Sequence, residues 1–208
     1  MEQIVNTVKL RGMLEALPVF SHENHGKKFY SFTLCVPRLS GTCDLLPVIV
    51  PQALLEALEP DSGSMVTVVG QVRSHNLRTE GGRRHLLVFV YASFLAAEEG
   101  EPMNEVLLSG LCCKEPVYRR TPLGREICDV MLAVPRAFRR ADYLPCILWG
   151  RLAQEAADCH VRDQLVISGR LQSRVYTKLT EEGSVQRTTY EISALTASFY
   201  PREEEPDT

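Results

Sequence analysis

The 208-residue chain contains no run of about 18 apolar residues, so no membrane-spanning helix is expected. Met1 to Val8 carries Glu2 and no apolar signal core, so export is not expected and a cytoplasmic location is. Basic residues are not in surplus: 23 Lys and Arg stand against 26 Asp and Glu, a net charge of −3. A generically sticky basic protein is thereby excluded, and any nucleic-acid site must come from local patterning. The seven cysteines include no CxxC pair and form an odd total, which argues against a disulfide framework and a structural zinc site. Cys35, Cys128 and Cys146 lie in apolar runs and are expected to be small buried hydrophobes. Cys159-His160 and the His22/His25 pair are too isolated to argue for a metal. No Gly-rich phosphate loop or Ser/His/Asp arrangement is present, so neither an enzyme nor a cofactor is expected. Glu181 and Glu182 are expected on a solvated hairpin tip rather than in acid–base work.

What the sequence does contain is an internal repeat. At an offset of 98, Asn6, Val8, Leu10 and Gly12 fall on Asn104, Val106, Leu108 and Gly110. Leu34, Val36, Pro37 and Arg38 fall on Leu132, Val134, Pro135 and Arg136; Asp44, Leu46, Pro47 and Ile49 fall on Asp142, Leu144, Pro145 and Ile147. The block holds 15 identities over 45 gap-free positions. Further on, Gly70 and Ser74 meet Gly169 and Ser173 at an offset of 99, and Ala92-Ser93-Phe94 meets Ala197-Ser198-Phe199 at 105. The extra residues of the second copy are expected at a hairpin tip, 179–186, where insertions cost least. The expected domains are residues 1–95 and 104–200, joined by a polar hinge at 96–103 and followed by an acidic disordered tail, 201–208.

Period-two alternation predicts strands in the second copy over 104–111, 126–134, 144–149, 165–176 and 188–199. A helix is expected at 151–158, and its first-copy counterpart at 52–59, with Pro51 at a helix start. Five strands with a helix between the third and fourth describe an all-β OB-fold, here two tandem five-stranded Greek-key barrels. Gly12 and Gly110 suit strands that bend at a barrel corner. Another small barrel or sandwich is the alternative that pattern alone leaves open.

The second copy reads Asn104-Glu-Val-Leu-Leu-Ser-Gly-Leu111, then Arg120-Thr-Pro-Leu-Gly124. Asp142 to Gly150, with a Trp149-Gly150 strand end, and Gly169-Arg-Leu-Gln-Ser-Arg174 follow. In this order the segments resemble the bacterial single-stranded-DNA-binding protein family, including its primosomal relatives. The resemblance covers nearly all of 104–200 and implies binding of single-stranded DNA, with base-stacking aromatics at Tyr143, Trp149 and Tyr176. It also implies a homodimer giving four OB-folds, or a pseudo-dimeric monomer, with replication or primosome proteins as further partners. Replicative members usually end in a long tail with an acidic, aromatic-ended tip. This chain stops at Pro201-Arg-Glu-Glu-Glu-Pro-Asp-Thr208, which points toward a specialised role such as a primosome component or mobile-element protein.

Sequence-tolerant binding needs cations along a groove and aromatic faces for the bases. Arg119, Arg120, Arg125, Arg136, Arg139, Arg151, Arg170 and Arg174 supply the first, with Arg140 beside them. Tyr118, Phe138, Tyr143, Trp149 and Tyr176 are interleaved with them. Trp149 is in phase with Ile147 and Pro145, so a core position is its alternative. The first copy has Leu45, Pro51 and Leu77 where the second has Tyr143, Trp149 and Tyr176. Residues 1–103 hold 9 basic and 11 acidic residues against 13 and 11 in 104–200. The first copy is therefore expected to be structural or partner-binding. The competing class is a primosome-type adaptor with weak DNA contact.

Overall fold

Alternating strands too long to bury alone close into barrels. The structure is a computed structural model and describes residues 5–58, 61–78, 82, 84–180 and 183–202. In the first copy β1 (Asn6–Leu14), β2 (Val19–Asn24), β3 (Lys27–Pro37) and β4 (Cys43–Pro51) precede a one-turn helix α1 (Gln52–Glu56). Strands β5 (Met65–Arg78) and β6 (Arg84–Ala97) follow. The order is β2-β3-β4-β6-β5-β1, and a β1–β3 pairing closes it. Among the described residues of this copy only the β4–β6 pair is parallel. The second copy repeats this with β7 (Met103–Cys112), β8 (Val117–Arg120), β9 (Glu126–Arg136) and β10 (Arg140–Trp149). After them come α2 (Arg151–Ala157), β11 (Gln164–Thr180) and β12 (Gly183–Tyr200). Five strands close each barrel, as the fold class expected. The sixth, β2 or β8, lies against β3 or β9 and is additional to the five predicted strands.

The barrel interior follows the period-two reading. Leu10, Leu34, Leu46, Val48, Val50, Val68 and Val90 are buried in the first copy. Leu108, Leu132, Leu144, Leu148, Leu165, Ile167 and Leu171 are buried in the second. Gly12 is where β1 leaves β5 for β3: a Cβ there would lie 2.3 Å from the Cys35 carbonyl oxygen. At the repeat-related Gly110 the same atom would sit 2.9 Å from the oxygen of Ala133.

Two details differ from the sequence reading. Pro51 is not inside the helix but caps it in an extended conformation, ending β4. Cys35 is not a free thiol: it is bonded to Cys43 across the β3–β4 hairpin. The second copy has Ala133 and Ala141 there, so the bridge belongs to the first copy alone. The other five cysteines are free, and burial pushes the thiols of Cys128 and Cys159 up to about 11, where they are inert. Glu59, Glu181, Glu182 and the tail beyond Arg202 lie outside the described residues.

The register also revises the repeat. Val48 pairs with Val90 and Cys146 with Ile192, so the copies are offset by 192 − 90 = 102 in the last strand, not the 105 drawn from Ala92-Ser93-Phe94. Tyr91 and Ser193 are therefore counterparts, each placing its carbonyl against a glycine, Gly70 or Gly169.

By contacts the chain forms two units. One comprises Val106–Arg170 and Ile192 onward, with Met1–Asn6. The other comprises Thr7–Glu105 together with the hairpin arms Leu171–Glu191.

Candidate nucleic-acid interface

In the unit containing Val106–Arg170, β10 turns Asp142, Leu144, Cys146 and Leu148 inward and sends Tyr143 and Trp149 to the opposite face. Both are open to solvent, at 44% and 39% exposure, so Trp149 is not a core residue despite its phase with the buried Ile147. Its indole Nε1 donates to Ser193 Oγ at 3.3 Å, which fixes the ring against β12 while leaving it exposed. Gly150 makes this possible: its φ of 56° turns the chain from β10 directly into α2. Six residues separate Tyr143 from Trp149, about 20 Å along a strand, so they address different parts of a bound chain.

The arginines fall into three groups. Arg119 ion-pairs with Asp129 at 2.7 Å and Arg120 with Glu126 at 3.0 Å, both at the surface beside this face. Hydrogen bonds to Tyr118 and then Glu126 hold the Arg120 guanidinium above its usual range, and a hydrogen bond of its own to Tyr118 lowers Glu126. Arg151 pairs with Glu155 one helical turn on. Such exposed pairs are worth little and yield readily to a phosphate. Arg125 and Arg139 are exposed and make no ion pair among the described residues. Arg170 is half-buried on β11.

Arg136 is different. It donates to Asp142, a fully buried carboxylate, at 3.3 Å. The repeat-related pair in the first copy is tighter: Arg38 donates through Nε at 2.8 Å and Nη2 at 2.5 Å to Asp44. Each copy thus uses this arginine to neutralise a carboxylate inside the strand 3–4 hairpin, a role the sequence reading did not separate from phosphate binding.

Tyr176 and Arg174 belong to the other unit, both exposed on β11. Their arm is held by Ser173, whose N–H donates to Asp44 Oδ1 at 2.7 Å and whose carbonyl accepts from Arg38 at 2.9 Å.

Phe138, expected among the interleaved aromatics, and Ser193, which the sequence did not single out, are placed by the fold. Phe138, 93% exposed between β9 and β10, sits beside Arg139 with both residues in the left-handed region. A lone aromatic between two strand runs was the available signal. Ser193 had none, because only the parallel β10–β12 register brings it to Trp149.

Among the described residues no helix is long and apolar enough to cross a membrane, and no cluster could hold a metal ion.

Residues 103–200 match the family model described as the single-strand binding protein family. Single-stranded DNA-binding protein B of Bacillus subtilis is 38% identical over 114 residues, covering 50% of this chain and 98% of that protein. The single-stranded DNA-binding protein of Bacillus cereus is 38% identical over 81 residues, 36% of this chain and 48% of that one. This chain thus spans nearly all of the first relative and about half of the second. The wild-type single-stranded DNA binding protein from Thermus aquaticus superposes with a TM-score of 0.77 over 98% of this chain and 96% of that one. At 23% identity that likeness speaks for the fold, tandem OB barrels along the whole chain. With nearly the whole of a 38% identical relative spanned, the chain belongs to the single-strand binding protein family.

Proposed function

We propose that the chain binds single-stranded DNA without sequence preference and without catalysis, through base stacking on the β10 face and phosphate contacts from the surrounding arginines. The observation that carries this is Trp149: a large aromatic kept exposed at a strand end and held in place by Ser193. A core residue would be covered, and a stray surface tryptophan would not be anchored. Tyr143, Trp149 and Tyr176 supply stacking faces, each worth about 1–3 kcal/mol per base. Arg119, Arg120, Arg125, Arg139, Arg151, Arg170 and Arg174 supply charge, while Arg136 serves the barrel first.

The tandem copies, residues 1–95 and 104–200, give one chain two OB-folds. Two chains would supply four, and sedimentation velocity with and without DNA distinguishes these states. A role beside replication or primosome proteins, in the cytoplasm, fits this reading.

Trp149 is the only tryptophan, so its fluorescence tests the proposal directly. Titration with oligo-dT is expected to quench it, more weakly at higher salt because phosphate neutralisation releases counterions. Duplex DNA is expected to leave it unchanged. Absence of both a quench and a mobility shift would overturn the proposal in favour of a protein adaptor.

A further inference from the structure

Leu45, Pro51 and Leu77 leave the first copy without aromatics at the three expected stacking positions, yet its strand register puts rings back on the same face from other strands. Trp149 of β10 lies opposite Ile127 of β9; in the first copy Pro51 of β4 lies opposite Phe29 of β3. The large ring has changed strands within one cross-strand pair, whose Cβ atoms are about 5 Å apart, and so stays on the same face. The neighbouring position changes with it. Ser193, the hydrogen-bond partner of Trp149, is replaced by Tyr91, and the Phe29 and Tyr91 rings lie 6.0 Å apart. The His22 ring stacks on Phe29, 4.9 Å away and 12° from parallel, and the Arg73 guanidinium lies 5.8 Å from the centre of Tyr91.

Phe29 is nearly covered, but His22 on β2 is exposed, as are Lys27 and Lys28 at the start of β3. All of these residues belong to a single unit. An outermost imidazole backed by a parallel phenyl ring, with ammonium groups a few residues along the hairpin, has the chemistry of a nucleobase platform with phosphate contacts.

We propose that His22, Phe29, Tyr91 and Arg73 form a second stacking site for single-stranded nucleic acid on the first copy, with Lys27 and Lys28 meeting the phosphates. Bases stack on the free face of His22 and beside Tyr91. The proposal rests on the reading that the second copy binds single-stranded DNA, and it replaces the expectation of a merely structural first copy.

The experiment compares the full chain with His22→Ala, His22→Phe and the double variant Lys27→Gln, Lys28→Gln, using labelled oligo-dT of two lengths. An oligomer of about 12 nucleotides fits one OB-fold and one of about 30 spans two. Trp149 quenching by the short oligomer reports the second copy and is expected to be unchanged in every variant. Affinity for the long oligomer is expected to fall about 5- to 100-fold in His22→Ala and to recover in His22→Phe. In the lysine variant it is expected to fall with a flatter salt dependence. Wild-type affinity for the long oligomer in both His22→Ala and the lysine variant would overturn the second site. So would a loss in His22→Ala that His22→Phe fails to restore and that tracks a lowered melting temperature. If neither length binds the wild-type chain, the reading of the second copy fails first and the second site falls with it.

Discussion

Asp44 accepts two hydrogen bonds from Ser173, 129 residues away, from the backbone N–H at 2.7 Å and from Oγ at 3.2 Å. The carboxylate is 1% exposed and is neutralised by Arg38, whose guanidinium it holds above the usual range. This clamp seats the β11 arm that carries Arg174 and Tyr176 on the strand 3–4 hairpin of the first copy.

Replacing Asp44 by Ala leaves Arg38 and both Ser173 donors without their acceptor. Stability is expected to fall by about 3–5 kcal/mol in urea unfolding. Proteolysis under native conditions is expected to begin within Leu171–Glu191. An unchanged cleavage pattern would show that other contacts seat the arm.

The arginines divide by role, and salt dependence separates them. Arg125→Ala and Arg139→Ala are each expected to flatten the plot of log affinity against log salt by about 0.7, leaving stability intact. Arg136→Ala is expected to destabilise the chain by removing the cation that donates to buried Asp142, which urea midpoints measure directly.

The Cys35–Cys43 bond makes a simple count. Denatured, unreduced protein is expected to react with Ellman's reagent at five thiols and reduced protein at seven. Seven in both would place the bridge outside the isolated protein.

Both barrel-corner glycines are expected to resist a methyl group, in a definite order. Gly12→Ala meets a backbone oxygen at 2.3 Å and Gly110→Ala at 2.9 Å, so the first is the more costly, with overpacking costs of about 1–3 kcal/mol or more. Thermal unfolding ranks them.

Asp163 binds the backbone N–H of His160 at 2.8 Å and of Arg202 at 2.9 Å, and these bonds hold its carboxyl below the usual range. Because the folded-state value is depressed, its contribution is complete above the unfolded value of about 3.9 and disappears as pH falls through the folded value. Asp163→Asn is expected to flatten the acid limb of a stability–pH curve below about pH 4. Parallel curves for the two proteins would exclude the contribution.

Local pattern determined a good deal of this protein. Two OB barrels follow from alternating residues, glycines at two corners and an offset of 98, because strand burial and close approach act over a few neighbours. The Trp149-Gly150 strand end was legible as a motif, but a core position for Trp149 stayed open until the fold placed the ring at the surface. Long-range pairing decided the rest. Arg136 and Arg139 look alike in sequence, but only Arg136 reaches a buried carboxylate. Cys35 and Cys43 meet because the β3–β4 register makes them diagonal neighbours, with Cys43 opposite Pro37 and Cys35 opposite Leu45. Aligned position by position, the first copy has Leu45, Pro51 and Leu77 in place of stacking groups. Its rings had moved to partner strands, and cross-strand neighbours are a property of the folded sheet that no linear alignment carries.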